Sequence, residues 1–174
     1  MNFLKSYKKN IVSYDLINKF FYNKVNNLPK IKQVNLYFVF TTSNLNSLLT
    51  ALGGLELVSQ QKGILLKSKI NNVSIKIKKG NPVGCLVSLH NAKKEKFLIK
   101  LINDVLSNNS NIHHDKSFNQ PTLSFKLATT LLIPELKQNY RFFNNLPNLH
   151  VNIMTTAKTK EEFKFLIKSY KIIS

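Results

Sequence analysis

The chain has 174 residues, the size of one ordinary domain, and its 43% apolar content supports a real core rather than a disordered segment. Its 26 basic side chains against 8 acidic ones leave +18 at neutral pH, an excess that normally has an anionic partner, nucleic acid or anionic membrane. No apolar run approaches the roughly 20 residues that cross a bilayer, and the lysines are spread rather than clustered, which disfavours the membrane.

Residues 7–22 carry Ile11, Val12, Leu16, Ile17, Phe20 and Phe21 as a rough helical stripe among lysines. Such a start imitates a transit peptide, but those favour arginine. Pro29 ends the segment. From Lys30 to Phe40, the residues Val34, Leu36, Phe38 and Phe40 alternate with Gln33, Asn35, Tyr37 and Val39, which predicts a strand with a buried and a half-buried face. A helix follows over Asn44–Val58, with Leu45, Leu48, Leu49, Leu52 and Leu55 on its apolar face and a kink or early end expected at Gly53-Gly54. Thr42, Ser43 or Asn44 is available as its cap.

Residues 63–69 and 73–78 read as short strands, and Val83–Leu89 as a third with Val83, Cys85, Val87 and Leu89 on one face. Lys93–Ser107 is an amphipathic helix through Phe97, Leu98, Leu101, Ile102 and Val105, followed by a polar loop over Asn108–Pro121. A strand near Leu123–Ile133 is expected to stop at Pro134. Leu149, Val151 and Ile153 alternate as a last strand. Thr159-Lys-Glu-Glu162 then forms a capping box before Phe163, Leu166, Ile167 and Tyr170. Irregular alternation of helices and hairpins predicts the α+β class: one mostly antiparallel sheet with helices packed on one side. With no repeat and no linker, residues 1–174 are expected to form a single domain, an opening helix at 7–22 and a body over 30–174.

Cys85 is the obvious nucleophile candidate, because flanking lysines lower a thiol pKa. Its strand phase points it inward with Val83 and Val87, so it reads as a core residue. A single cysteine also excludes an internal disulfide and fits a reducing compartment. His113-His114-Asp115 resembles metal-ligand material, yet adjacent histidines on extended chain point apart and no second group lies at a metal-site spacing, so it reads as solvated loop. Glu161 and Glu162 belong to the capping box, and Glu95 and Asp104 to helix ends, which leaves no paired-carboxylate site. Catalytic, metal and cofactor sites are therefore expected to be absent.

The lysines carry more. Lys62, Lys67, Lys69, Lys76, Lys78 and Lys79 crowd one sheet region with Gln61, Asn71, Asn72 and Asn81 among them. Lysine for phosphates and amides for sugars or base edges is the composition of a shape-reading RNA surface. All the cations except Arg141 are lysine, so this surface relies on point charges rather than bidentate arginine. The abundance of Lys, Asn, Ile and Phe, all with A/T-rich codons, indicates an organelle genome or a reduced bacterial one.

Several stretches together resemble the bacterial and organellar L-five family of large-subunit ribosomal proteins. Gly80-Asn-Pro-Val-Gly-Cys85, continuing to Leu89, is similar to that family's Gly-Tyr-Pro-Ile-Gly-Cys-Lys-Val-Thr-Leu. Phe20–Lys30, Gln61-Lys62, Lys116-Ser-Phe118, Ile133-Pro-Glu135 and Thr155-Thr-Ala-Lys-Thr159 also carry the likeness, which runs in order from about residue 7 to 170. The resemblance implies an α+β protein of the central protuberance that binds 5S and large-subunit ribosomal RNA. It further implies contacts with P-site tRNA, a small-subunit head protein and neighbouring large-subunit proteins. By position, the RNA surface includes Lys30, Lys32, Gln61, Lys62, Lys67, Lys69 and Ser88. The tRNA-facing loop is Ile70–Lys79, with Asn71, Asn72, Ser74, Lys76, Lys78 and Lys79.

The chain departs from the family where Asn-Met-Gly-Val-Gly is replaced by Tyr37-Phe-Val-Phe-Thr41, so an RNA contact there is rebuilt or lost. The loop lacks the family's glycine and phenylalanine, and Gln120-Pro-Thr122 stands in place of Gly-Arg-Gly. The expected address is a mitochondrial ribosome, with plastid or reduced bacterium as alternatives. A free-standing RNA-binding factor and a small Cys/His enzyme using Cys85 with His113 or His114 are the competing functions.

Overall fold

In the computed structural model, which describes residues 3–40, 44–71, 73, 77–106, 113–115, 121–127 and 129–172, the predicted alternation becomes the central strand β1 (Ile31–Val39). Val34, Leu36 and Phe38 are buried, while Gln33, Asn35 and Tyr37 stay partly exposed. β1 lies between β3 (Pro82–Leu89) and β6 (Leu149–Thr155), with Val34 opposite Leu89 on one side and Ile153 on the other. With β2 (Ile64–Lys67), β4 (His113–Asp115) and β5 (Thr122–Leu127), they form a six-stranded sheet in the order β2-β3-β1-β6-β5-β4. Every pairing is antiparallel, as expected for this α+β chain.

Inward residues of β1, β3, β5 and β6 meet the helices in one core that contains Phe38, Cys85, Val87, Leu89, Phe125, Val151 and Ile153. The opening helix starts earlier than its stripe suggests and has three parts: α1 (Phe3–Tyr7), a π turn (Lys8–Val12) and α2 (Ser13–Lys19). A π turn takes up extra residues and rotates the helix face that follows. Leu4, Val12 and Leu16 turn inward, whereas Ile11, Ile17 and Phe21 are exposed. Phe20 leaves the helix in extended conformation and packs edge-on against Phe165, ring centroids 5.8 Å apart.

α3 (Leu45–Ser59) runs unbroken through Gly53-Gly54 and ends at Gln60 in the left-handed region, φ 53°. Gly54 has a packing role. A Cβ there would lie 3.4 Å from Leu136 and Leu146, ordinary contact distance, so this buried position packs directly against the segment behind α3. Its inward face is Leu48, Ala51, Leu55 and Val58, and the predicted Leu45 and Leu49 are 67% and 64% exposed. α4 (Asn91–Lys100) passes into a π turn (Leu101–Leu106) and buries Phe97, Leu98, Leu101 and Val105 as predicted.

β5 ends well before Pro134, because a 3-10 turn (Thr130–Leu132) intervenes. Pro134 opens α5 (Pro134–Gln138), where its missing N–H is no loss, and α6 (Tyr140–Phe143) follows. The stretch 108–121, expected to be loop, contributes β4 to the sheet edge. For the strand expected over 73–78, only residues 73, 77 and 78 are described, and of these Ile77 is buried. α7 (Lys160–Ser169) carries the predicted capping box: Thr159 accepts from the Glu162 amide and Glu162 accepts from the Thr159 amide.

Candidate nucleic-acid interface

Cys85 sits in the core, fully buried, and desolvation pushes its thiol up to about 11. β3 and β4 are separated by β1, β6 and β5, so Cys85 and the 113–114 pair stand about 19 Å apart at ordinary strand spacing. The pairing of Cys85 with either histidine is thereby excluded. Among the described residues no three His, Cys, Asp or Glu side chains converge as a metal site, and no helix is long and apolar enough to cross a membrane.

The face of the sheet turned away from the core is different chemistry on the same strands. Register brings Asn35 opposite both Ser88 and Asn152, and Tyr37 opposite both Leu86 and His150. Tyr37 and His150 stack with ring centroids 4.9 Å apart and planes 14° from parallel. The Gln33 amide donates to Asn35 Oδ1 at 3.3 Å and reaches Met154 Sδ at 3.0 Å. Asn152 Oδ1 is buried without a hydrogen-bond partner among the described residues. Ser124 and Lys126 on β5 continue the two rows. The surface is rich in amides and hydroxyls and carries little charge.

Cations surround it in two groups. At the end where β1 begins and β3 finishes, Lys30, Lys32 and Lys62 are exposed around Gln61 and Ser88. Gln61 is held there by its own amide, which donates to the Ser88 carbonyl at 3.3 Å. Lys32 is the extra residue of a β-bulge, since Ile31 pairs with Thr155 and Gln33 with Met154. Lys67 lies opposite Pro82 at the other end of β3, with Lys69 beyond it. Six residues of strand separate the two ends, about 20 Å. The set grouped by sequence is therefore one cluster of five and one pair, not a single patch.

The pair belongs with the loop. Ser68 closes its neck, donating from its amide to the Asn81 carbonyl at 2.9 Å and accepting from Gly80 at 2.9 Å. Gly80 makes the turn at φ 92°, a conformation that suits glycine. Asn71 Oδ1 accepts from the Lys79 amide at 2.6 Å, so this amide is spent on holding the loop. Lys78 and Lys79 are exposed, and so are Ile70 and Val73. Asn72, Ser74 and Lys76 lie outside the described residues.

Two cations escaped the sequence pattern. Lys8 and Lys94 share a crevice beside Ile31 with Glu95 and Tyr170, and Lys94 donates to the Ile31 carbonyl at 2.8 Å. Desolvation lowers the pKa of both, and the charge of Lys30 lowers each further, while Glu95 works the other way. They extend the positive end of the sheet around Lys30. Their distance in sequence, on the opening π turn and on α4, hid this from any local pattern. The open-face residues left a fainter signal, the polar phase of the β1 alternation.

A family model for the C-terminal part of the ribosomal L-five family matches residues 82–173. The chain is 33% identical to "Large ribosomal subunit protein uL5m" of Reclinomonas americana, over 99% of this chain and 97% of that one. It is 32% identical to the uL5 protein of Geobacter sulfurreducens over 93% of this chain and 92% of the relative. The uL5 protein of Buchnera aphidicola is 30% identical over 98% and 97% of the two chains.

Proposed function

The chain belongs to the L-five family of large-subunit ribosomal proteins, structural constituents rather than enzymes, and from that premise we propose how it holds ribosomal RNA. The open sheet face and its bordering lysines bind 5S ribosomal RNA in the central protuberance. Lys30, Lys32, Lys62, Lys67 and Lys69 contact phosphates, while Gln61 and Ser88 contact sugar or base edges. The observation that carries this reading is the division of the sheet: an amide-rich, nearly uncharged face that none of the described helices covers, with lysines at both ends. Phosphate contacts position such a complex and neutral donors and acceptors read the RNA between them.

The loop Ile70–Lys79, bearing Asn71, Asn72, Ser74, Lys76, Lys78 and Lys79, faces P-site tRNA, and a small-subunit head protein meets the same region. The resemblance supports this, as do the exposed Lys78 and Lys79. The residue span 1–174 acts as one domain. Its ribosome is mitochondrial, a reading supported by the lysine- and asparagine-rich composition and by the relative named uL5m.

Binding of a 5S ribosomal RNA transcript across a salt series tests the RNA reading. Each phosphate contact adds about one unit to the slope of log affinity against log salt. Lys67→Ala, Lys69→Ala and Lys32→Ala are expected to weaken binding and each flatten the slope by about one unit. Slopes equal to wild type in all three would remove these lysines from the interface and overturn the proposal.

A further inference from the structure

Tyr37 and His150 occupy the middle of the open face, directly opposite each other on β1 and β6, with rings stacked at 4.9 Å. A cross-strand aromatic pair contributes to sheet stability by itself. This pair is only partly covered and lies on the face opposite the helices.

We propose that the Tyr37–His150 pair is a stacking platform for an unpaired nucleobase of the RNA bound on this face, which deepens the RNA-binding reading and rests on it. The surroundings fit a base. Leu86 lies beside Tyr37 on β3 and offers apolar area, while Lys126 lies beside His150 on β5 and brings a positive charge for the backbone. Asn35 and Asn152 form the next row on the same face, two residues along each strand, about 7 Å away. That is the reach of a base edge from its stacked ring. Asn152 Oδ1 lacks a partner among the described residues, and an N–H on the base edge supplies one when the side chain turns outward. Stacking is tolerant of base identity, because every base has a π-face, so the platform does not require one particular base.

The test uses the full chain and a bacterial 5S ribosomal RNA transcript in which unpaired nucleotides are replaced, one at a time, by 2-aminopurine. Stacking on a ring quenches this base, so wild-type protein is expected to quench at least one position. Tyr37→Ala is expected to lose that quenching and bind roughly 10-fold more weakly. Its salt slope stays that of wild type, because no phosphate contact is lost. Tyr37→Phe keeps the ring and is expected to keep both quenching and affinity.

Binding by wild type without quenching at any position overturns the platform. So does a Tyr37→Phe variant as impaired as Tyr37→Ala, which would assign the contact to the hydroxyl. If wild type does not bind the RNA at all, the RNA reading falls together with the platform, whereas normal lysine effects without quenching defeat the platform alone. Should Tyr37→Ala fail to fold in a thermal melt, the wild-type quenching and the Tyr37→Phe variant still decide the matter.

Discussion

The two faces of the sheet share the same backbone and differ in what a substitution there can damage. On one face Val34, Leu36, Phe38, Cys85 and Val87 are 1% exposed or less and pack under the helices. On the other, Gln33, Asn35, Tyr37, Ser88 and His150 alternate with them and remain partly exposed. Because successive strand residues point to opposite sides, neighbours one position apart answer to different demands, stability and recognition. A chain can therefore change its recognising face without disturbing its core.

The largest effect that sharpens this division is Phe38→Ala, which empties a large site in the core and is expected to cost about 3–5 kcal/mol in a denaturant titration. RNA affinity per folded molecule should be unchanged. Gly84→Ala makes the same point through the backbone: any Cβ at Gly84 collides with the Phe38 carbonyl oxygen on β1, so the two strands would have to part. A loss above roughly 2 kcal/mol is expected there, and a near-neutral result would contradict the packing of β1 on β3.

Cys85 gives a titratable readout of the same face. Its folded pKa is raised from 9.0 to about 11, so between those values the unfolded chain gives up the proton while the folded chain keeps it. Folded protein then binds more protons than unfolded, and stability falls as pH rises through that window, by roughly 2–3 kcal/mol in all. Cys85→Ala should abolish this component of the alkaline loss in paired melts, and an identical pH profile would place the thiol in solvent. A smaller effect, about 1 kcal/mol, is expected for Thr159→Ala, which removes one half of the α7 capping box. Smallest of all is Asn35→Ala on the open face. Stability should move by less than about 0.5 kcal/mol while 5S RNA affinity falls about 5-fold, the reverse of the Phe38→Ala pattern.

Much of this was legible in the sequence wherever a period ran uninterrupted. β1, β3, β6 and the capped α7 were readable because alternation or a capping box marks them locally. β4 was not, since His113-His114-Asp115 is too short and too polar to alternate, and only its partner β5 makes it a strand. The exposed Leu45 and Leu49 misled because α3 packs through its small residues, Ala51 and Gly54, which a hydrophobic stripe does not count. In the candidate site, lysine density was visible but not its division between two ends of the sheet, which depends on strand direction. The Tyr37–His150 stack needed register as well. Two residues 113 positions apart meet only because β1 pairs with β6.

The open sheet face, not the helical layer, is expected to meet ribosomal RNA. A density map of the large subunit containing this chain tests it most directly. RNA is expected against Asn35, Tyr37 and Ser88, with phosphates near Lys30, Lys32 and Lys62. RNA lying on the helical side, with Tyr37 and His150 facing solvent, would contradict it.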